Sequence, residues 1–407
     1  MRKIKQITIK HNSNDQNKKF TAWRLFLSIK ILIVLAVSIG IGALLYYQFH
    51  LKKHIVSRNE QSLFRKKVKL MYLSPRQVIS TTKVSAITTN SLVKSNQFEI
   101  TYNVLKNPIL SKSQKLDNII NELVDLVKKQ ELPTQPLSIT LIHVKSKTIS
   151  GYQQHISRYP ASVAKLFWMV ILEEYSNERK IASSNKIETD LKDMILKSDN
   201  DASSRIIDVI TNTQSSQNQL SDNQFKTWYK KRNQLNRFFE KAGYKNIDIS
   251  HKPFPLVDLT MTEPQGTELQ LQNNSNFNQV STYHAARLMY EIFTNRAVSL
   301  ESSQKMATLL KRDLHLSAWK NNPPPTEAFN PIENFMGESL SDKDIIFASK
   351  AGQTSTGRHE VAYVAATDGR MQYIIAVFGK DTQYSESNTI FPDISQLVFE
   401  RMSNHIK

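Results

Sequence analysis

A run of 23 residues from Leu25 to Tyr47, LFLSIKILIVLAVSIGIGALLYY, constrains this chain more than any other feature. Its one charge is Lys30, near an end where a long side chain can reach the interface while its stem stays among apolar neighbours. At about 1.5 Å per residue, the run is long enough to cross a ~30 Å hydrocarbon layer as a helix. A cleaved export signal has a shorter apolar core and a small-residue cleavage site. This run ends in Tyr46-Tyr47-Gln48-Phe49-His50, which offers no such site. The pattern predicts a single uncleaved transmembrane anchor over 25–47, a polar tail over 1–24, and a remainder that must fold in water.

The charge balance points to the same place. The chain carries a net charge of +18, but residues 1–69 hold 15 Lys and Arg against only Asp15 and Glu60. The basic excess therefore flanks the apolar run, where it meets anionic lipid. No zinc-finger spacing or aromatic-basic motif accompanies it, so nucleic acid is not an expected partner. The chain has no cysteine, which excludes disulfides and thiolate chemistry. Its ten histidines show no paired ligand spacing, so no metal or other cofactor is expected. Residues 48–113 begin basic and then, from Ser74, run rich in Ser, Thr, Asn and Lys, the composition of a juxtamembrane segment and polar stalk. Phe98–Tyr102 alternates like a short strand within it.

The folded part is expected over 114–407. Leu116, Ile119, Ile120, Leu123, Leu126 and Val127 recur at helical spacing. Leu137–Val144 reads as a strand, residues 188–211, 227–242 and 281–312 as helices, and 345–380 as strands again. Thr213–Asn223 is a polar insertion with loop composition. Strand, helices and then strands predict an α/β or α+β sandwich, with one sheet layered with helices beside a helical lobe.

Three short motifs carry chemistry. In Tyr159-Pro-Ala-Ser-Val-Ala-Lys165, Ser162 stands one helical turn before Lys165. Residues i and i+3 share a helix face, so an amine can reach the hydroxyl, and a serine needs such a base to become nucleophilic. Ser198-Asp199-Asn200 follows, and Lys350-Ala351-Gly352 lies further on. In this order and these surroundings the set resembles that of class A β-lactamases and penicillin-binding proteins. The resemblance covers about 116–407 and includes strands at Ile345–Lys350, Val361–Ala366 and Tyr373–Phe378. A second Ser-Asp-Asn, Ser221–Asn223, lies in the polar insertion without apolar flanks, so Ser198 is preferred.

The resemblance implies a fold and a set of roles. The fold would be β-lactamase/transpeptidase-like, an antiparallel sheet with helices plus a helical lobe, its groove between the two. Ser162 would attack an amide carbonyl, with Lys165 taking its proton. Ser198 would pass a proton to the leaving nitrogen, and Asn200 would hold the substrate amide and orient Lys165. Lys350 would meet the substrate carboxylate, with Arg358 as a second cation. Gly352 would let the substrate lie against the strand edge, and the backbone N–H groups of Ser162 and Gln353 would form the oxyanion hole.

Two departures from the family pattern stand out. Ala351 replaces the usual Thr or Ser of the third motif, removing a hydroxyl that contacts the substrate carboxylate. The family's deacylating glutamate maps to the region 252–280, where Glu263 in Glu263-Pro264-Gln265 is the candidate and Glu268 the rival. Four residues after Glu263 stands Thr267 rather than the family's asparagine. The expected activity is a serine β-lactamase-like hydrolase. The alternatives are a D-alanyl-D-alanine carboxypeptidase-type enzyme acting on peptidoglycan stem peptides, and a catalytically silent envelope-binding protein of the same fold. Seven Lys and Arg precede the anchor and seven follow it over 51–69, so charge does not orient it. The resemblance does: such substrates lie outside the cytoplasmic membrane, so the catalytic domain is expected outside and the tail within.

Overall fold

Strand alternation places almost every apolar residue of the sheet in one of two cores. The computed structural model describes residues 100–275, 277–321 and 329–403, all within one unit spanning Ser95–Lys407. Six strands, β1 (Ser111–Lys112), β2 (Leu137–His143), β3 (Thr148–Tyr152), β4 (Ile345–Thr354), β5 (Gly357–Ala366) and β6 (Gln372–Gly379), run in the order β1-β3-β2-β6-β5-β4. All neighbours are antiparallel except β1, which lies parallel to β3 and makes the sheet mixed. Successive strand residues face opposite ways. Ile374, Ala376 and Phe378 join one core while Tyr373, Ile375 and Val377 join the other, and Val361 and Ala362 divide likewise. Two-sided burial explains why β5 and β6 read as continuous apolar runs.

One face is covered by α1 (Gln114–Lys129) and α12 (Ile390–Ser403), whose apolar stripes share a core with β2 and β6. The other face packs against α2 (Ala164–Asn177) and α8 (Thr282–Phe293). Beyond them lie α3 (Asn185–Lys192), α4 (Asn200–Thr211), α5 (Asp222–Arg232), α6 (Gln234–Glu240), α7 (Gly266–Asn274) and α9 (Leu300–Leu310). Two short helices, α10 (Leu316–Trp319) and α11 (Thr382–Glu386), and short 3₁₀ or π-type turns at Ala161–Val163, Asp193–Lys197 and Glu338–Leu340 complete the described set. The helix α2 is buried nearly all round, from Ala164 to Glu174, so it runs through the middle of a core.

The N-terminal boundary lies earlier than Gln114. Tyr102 is fully buried, its hydroxyl donates to Glu291 at 2.8 Å, and its backbone N–H bonds to Phe238 O at 3.0 Å. Glu291 also accepts from Tyr244 and pairs with Arg287, which in turn donates to Asn107 and Val104 O. Part of the expected stalk is therefore core. Ile100–Tyr102 forms no strand; its backbone is tied down by these long-range partners instead. The expected tail, anchor and basic segment, together with the stalk up to residue 99, lie outside the described residues. Among the described residues no helix is long and apolar enough to cross a membrane.

Candidate active site

The turn that carries Ser162 is built on a strained residue. Ala161, immediately before it, has φ +47°, a left-handed conformation that costs a residue with a Cβ about 1–3 kcal/mol. A 3₁₀ turn, Ala161–Val163, then runs straight into α2, so Ser162 opens the helix and Lys165 lies in its first turn. The helix N-terminus adds partial positive charge beside the hydroxyl. Ser198 shows the same signature, with φ +58° where a π-type turn over Asp193–Lys197 stops before α4. Asp199 caps α4 by accepting from the Ala202 N–H at 2.6 Å. The second Ser-Asp-Asn is a helix start of another kind: Ser221 and Gln224 form a capping box on α5.

Ser198 is where the motifs meet. Lys165 Nζ donates to Ser198 O, lies 3.3 Å from Ser198 Oγ and reaches Asn200 Oδ1 at 2.8 Å. Lys350 Nζ approaches the same Oγ at 3.0 Å and also donates to Ala351 O at 2.8 Å. Both lysines are buried. Burial disfavours their charged forms and outweighs the pull of Asp199, bringing Lys165 down to about 7. Lys350 is held well below the ordinary lysine value by burial, reinforced by the positive charges of Lys165 and Arg312. An amine that is neutral part of the time at pH 7 can accept a proton from a neighbouring hydroxyl.

Gly352 faces the Ser162 backbone. A Cβ on Gly352 would fall 2.7 Å from Ser162 N and 3.1 Å from Ala161 Cβ. Only a glycine lets the β4 edge lie this close to the Ser162 N–H, one of the two expected oxyanion donors. Gln353 follows, with its side chain donating to Ser385 O at 3.0 Å, which ties the end of β4 to α11. Ala351 is buried opposite Glu360 of β5, and no hydroxyl stands at that position.

Arg358 pairs with Gln353 at the end of β4, but its side chain lies over Phe335 and Phe391 in the core shared with α1 and α12. It is buried, and its guanidinium donates to three backbone carbonyls, those of Asn334, Ser385 and Ser387. Its place is therefore to clamp loops behind the sheet. Arg312, which no motif marks, is the cation that comes forward. It donates to Ile195 O and Ser349 O at 3.0 Å each and adds to the positive field on Lys350. Its one weak signal in the sequence is the Lys311-Arg312 pair closing an apolar helix.

The 252–280 region brings no carboxylate to this corner. Asn200 Nδ2 instead donates to Pro255 O at 3.3 Å, and Pro255 and Val257 wall the cleft beside Ser198. Glu263 is exposed on a bend before α7 and is not part of that wall. Its rival Glu268 is buried and paired with Arg232 at 3.0 and 3.1 Å. Burial alone would raise the Glu268 carboxyl, but Arg232 and Lys252 outweigh it and hold it below the ordinary value, ionised and locked. The cleft's own acids are engaged too: besides Asp199, Asp201 accepts from the Val257 and Asp258 N–H groups. Among the described residues no group of three or more His, Cys, Asp or Glu could hold a metal.

No curated protein matches the sequence significantly. Among solved structures the chain is similar to the TLA-1 extended-spectrum β-lactamase, with 12% identity over 72% of this chain and 100% of that one and a TM-score of 0.50. It is also similar to a β-lactamase from Sphaerobacter thermophilus DSM 20745 (14% identity, 70% and 98% coverage, TM-score 0.49) and to PBP-A (15%, 73% and 99%, 0.49). The model of the β-lactamase enzyme family matches residues 115–402. With that match over most of its length, the chain belongs to the β-lactamase enzyme family.

Proposed function

We propose that this protein is an acyl-serine hydrolase that opens β-lactam amides through an ester on Ser162. The observation that supports this most is the double approach of Lys165 and Lys350 to Ser198 Oγ, beside a nucleophile turn whose N–H faces Gly352. In the proposed reaction Ser162 Oγ bonds to the carbonyl carbon while its proton passes to Lys165. The N–H groups of Ser162 and Gln353 hold the developing oxyanion. The C–N bond breaks, Ser198 gives its proton to the leaving nitrogen, and the two lysines restore it. Lys350 and Arg312 provide the positive field for a substrate carboxylate, where Ala351 supplies no hydroxyl.

A second reading is favoured by one observation: neither Glu263 nor Glu268 stands beside Asn200. Without a placed base, water attacks the ester slowly, and the protein acts as a penicillin-binding enzyme on D-alanyl-D-alanine-type stem peptides rather than as a fast β-lactamase. The reading also includes a single-pass anchor over 25–47 that holds the domain outside the cytoplasmic membrane, supported by the apolar run and its basic flanks. Incubating the full-length protein with penicillin and mapping the adduct by peptide mass spectrometry tests the core of it. Acylation is expected on Ser162; a folded protein with unmodified Ser162 would refute the proposal.

A further inference from the structure

We propose that the cleft beside Ser198 is a subsite for a leaving group that carries an aromatic or branched apolar substituent next to its carboxylate. This rests on the acylation of Ser162 proposed above. The cleft holds about 750 Å³. Ser198 stands at its rim, whereas Ser162 and Gly352 are not among its walls. Asn200, the expected holder of the substrate amide, is also among its walls, so the part proposed for the leaving group is the one lined by Ser198, Arg312 and Phe329.

Its walls divide by chemistry. Trp319, Phe329, Pro331, Ile332, Pro255 and Val257 supply its apolar lining. These come from segments that no motif includes. Phe329 packs edge-on against Phe335 at 5.6 Å, and its ring lies 5.9 Å from Lys350 Nζ, which joins the apolar wall to the catalytic corner. Trp319 is fixed by its indole N–H on Leu314 O at 3.3 Å, and Asn330 folds the following turn by accepting the Ile332 N–H at 3.0 Å.

The polar lining balances three acids, Asp199, Asp201 and Asp313, against three bases, Lys197, Lys311 and Arg312, so the place for an anion is local to Arg312. The acids in the walls are committed to backbone donors: Asp199 to Ala202, Asp201 to Val257 and Asp258, and Asp313 to the His315 N–H. Arg312 lies among them with its Nε buried and without a partner. A leaving residue with a carboxylate toward Arg312 and Lys350 would direct its side chain onto the Phe329 and Ile332 wall. A lone methyl, as on alanine or lactate, would leave most of this volume to water. Placing a ring there removes apolar surface from water on both partners.

Depsipeptides test this, because Ser162 forms the same ester from each while only the leaving group changes. Ser162 Oγ bonds to the acyl carbon, the C–O bond to the leaving hydroxy acid breaks, and the proton from Ser162 ends on that oxygen by way of Lys165 and Ser198. Full-length protein is compared on acyl-D-alanyl-D-lactate and acyl-D-alanyl-D-phenyllactate, with penicillin acylation as the control. The phenyllactate ester is expected to show kcat/KM higher by about tenfold or more. In Phe329→Ala that ratio should fall most of the way toward one, and in Ile332→Ala part of the way. A ratio compares two substrates on one protein, so a loss of folded fraction does not move it. Equal rates in the parent protein, or a ratio unmoved by both variants, would overturn the subsite while leaving Ser162 acylated. If penicillin and both esters leave Ser162 unmodified, the acylation reading fails, and the subsite with it.

Discussion

The Ser198 corner and the 252–280 segment lie side by side and are built on opposite principles. At the corner, residues far apart in sequence converge with their polar atoms turned on one another: Lys165, Asn200 and Lys350 all within hydrogen-bonding reach of Ser198 or of each other. In the 252–280 segment, the acid residues are turned away or locked, and what reaches the corner is the Pro255 carbonyl. In the proposed reaction, the first region would make the ester. The other offers backbone and apolar surface where a base would be needed to break it.

The difference can be sharpened by substitution, and the largest effect belongs to the nucleophile. Ser162→Ala should abolish the covalent adduct, lowering acylation by about four orders of magnitude or more, read by mass spectrometry. Glu268→Gln should act on stability instead. It removes the closer of the two carboxylates that pair with buried Arg232, leaving Asp208 at 3.5 Å, and is expected to cost about 1–3 kcal/mol in denaturant unfolding. If it slowed deacylation with stability intact, the contrast between the two regions would fail. Gly352→Ala forces a Cβ against Ser162 N, so β4 or the turn must shift; acylation should fall by about a hundredfold to a thousandfold with the fold retained.

The pH dependence comes from Lys165. Its folded pKa is lowered to about 7, so the neutral amine proposed to accept the Ser162 proton dominates above that pH and falls about tenfold per unit below it. Acylation should therefore rise about tenfold per unit up to about pH 7 and then level off. A rate falling across that range would reverse the assigned role. The smallest effect is expected at Glu263. Because its side chain is exposed and outside the cleft, Glu263→Gln should change acylation, release and stability by no more than about twofold. A larger loss in release alone would show that this carboxylate does serve the ester.

How much of the site is legible in the sequence depends on how its parts are held. Ser162 and Lys165 share one turn, and Ser198 to Asn200 are contiguous, so local spacing already contains their geometry. The apolar runs at Val361–Ala366 and Tyr373–Phe378 likewise foretell strands covered on both faces. Arg358 misleads because its distance from Lys350 along a hairpin does not say which loops its guanidinium will meet. Arg312 escapes notice because its proximity to Lys350 arises from the pairing of Arg312 N–H with Phe347 O, a contact without a sequence signature. The domain starts earlier than composition suggests for a similar reason: Tyr102 looks like part of a polar stalk until Glu291, 189 residues away, is placed beside it. Glu263 has only a local resemblance in its favour, whereas the hairpin bridge between Leu256 and Met261 carries the chain away before it arrives.

Whether the protein forms an ester on Ser162 and clears it slowly, as proposed, can be read by time-resolved intact-mass spectrometry. The full-length protein would be mixed with a chromogenic cephalosporin, freed of excess drug, and sampled over time. Stoichiometric acylation at Ser162 is expected to persist after the drug is removed, with little colour beyond the first turnover. An adduct that clears as fast as colour develops would contradict it and place a working base in the 252–280 segment. A folded protein that never gains the adduct would contradict the acyl-serine chemistry itself.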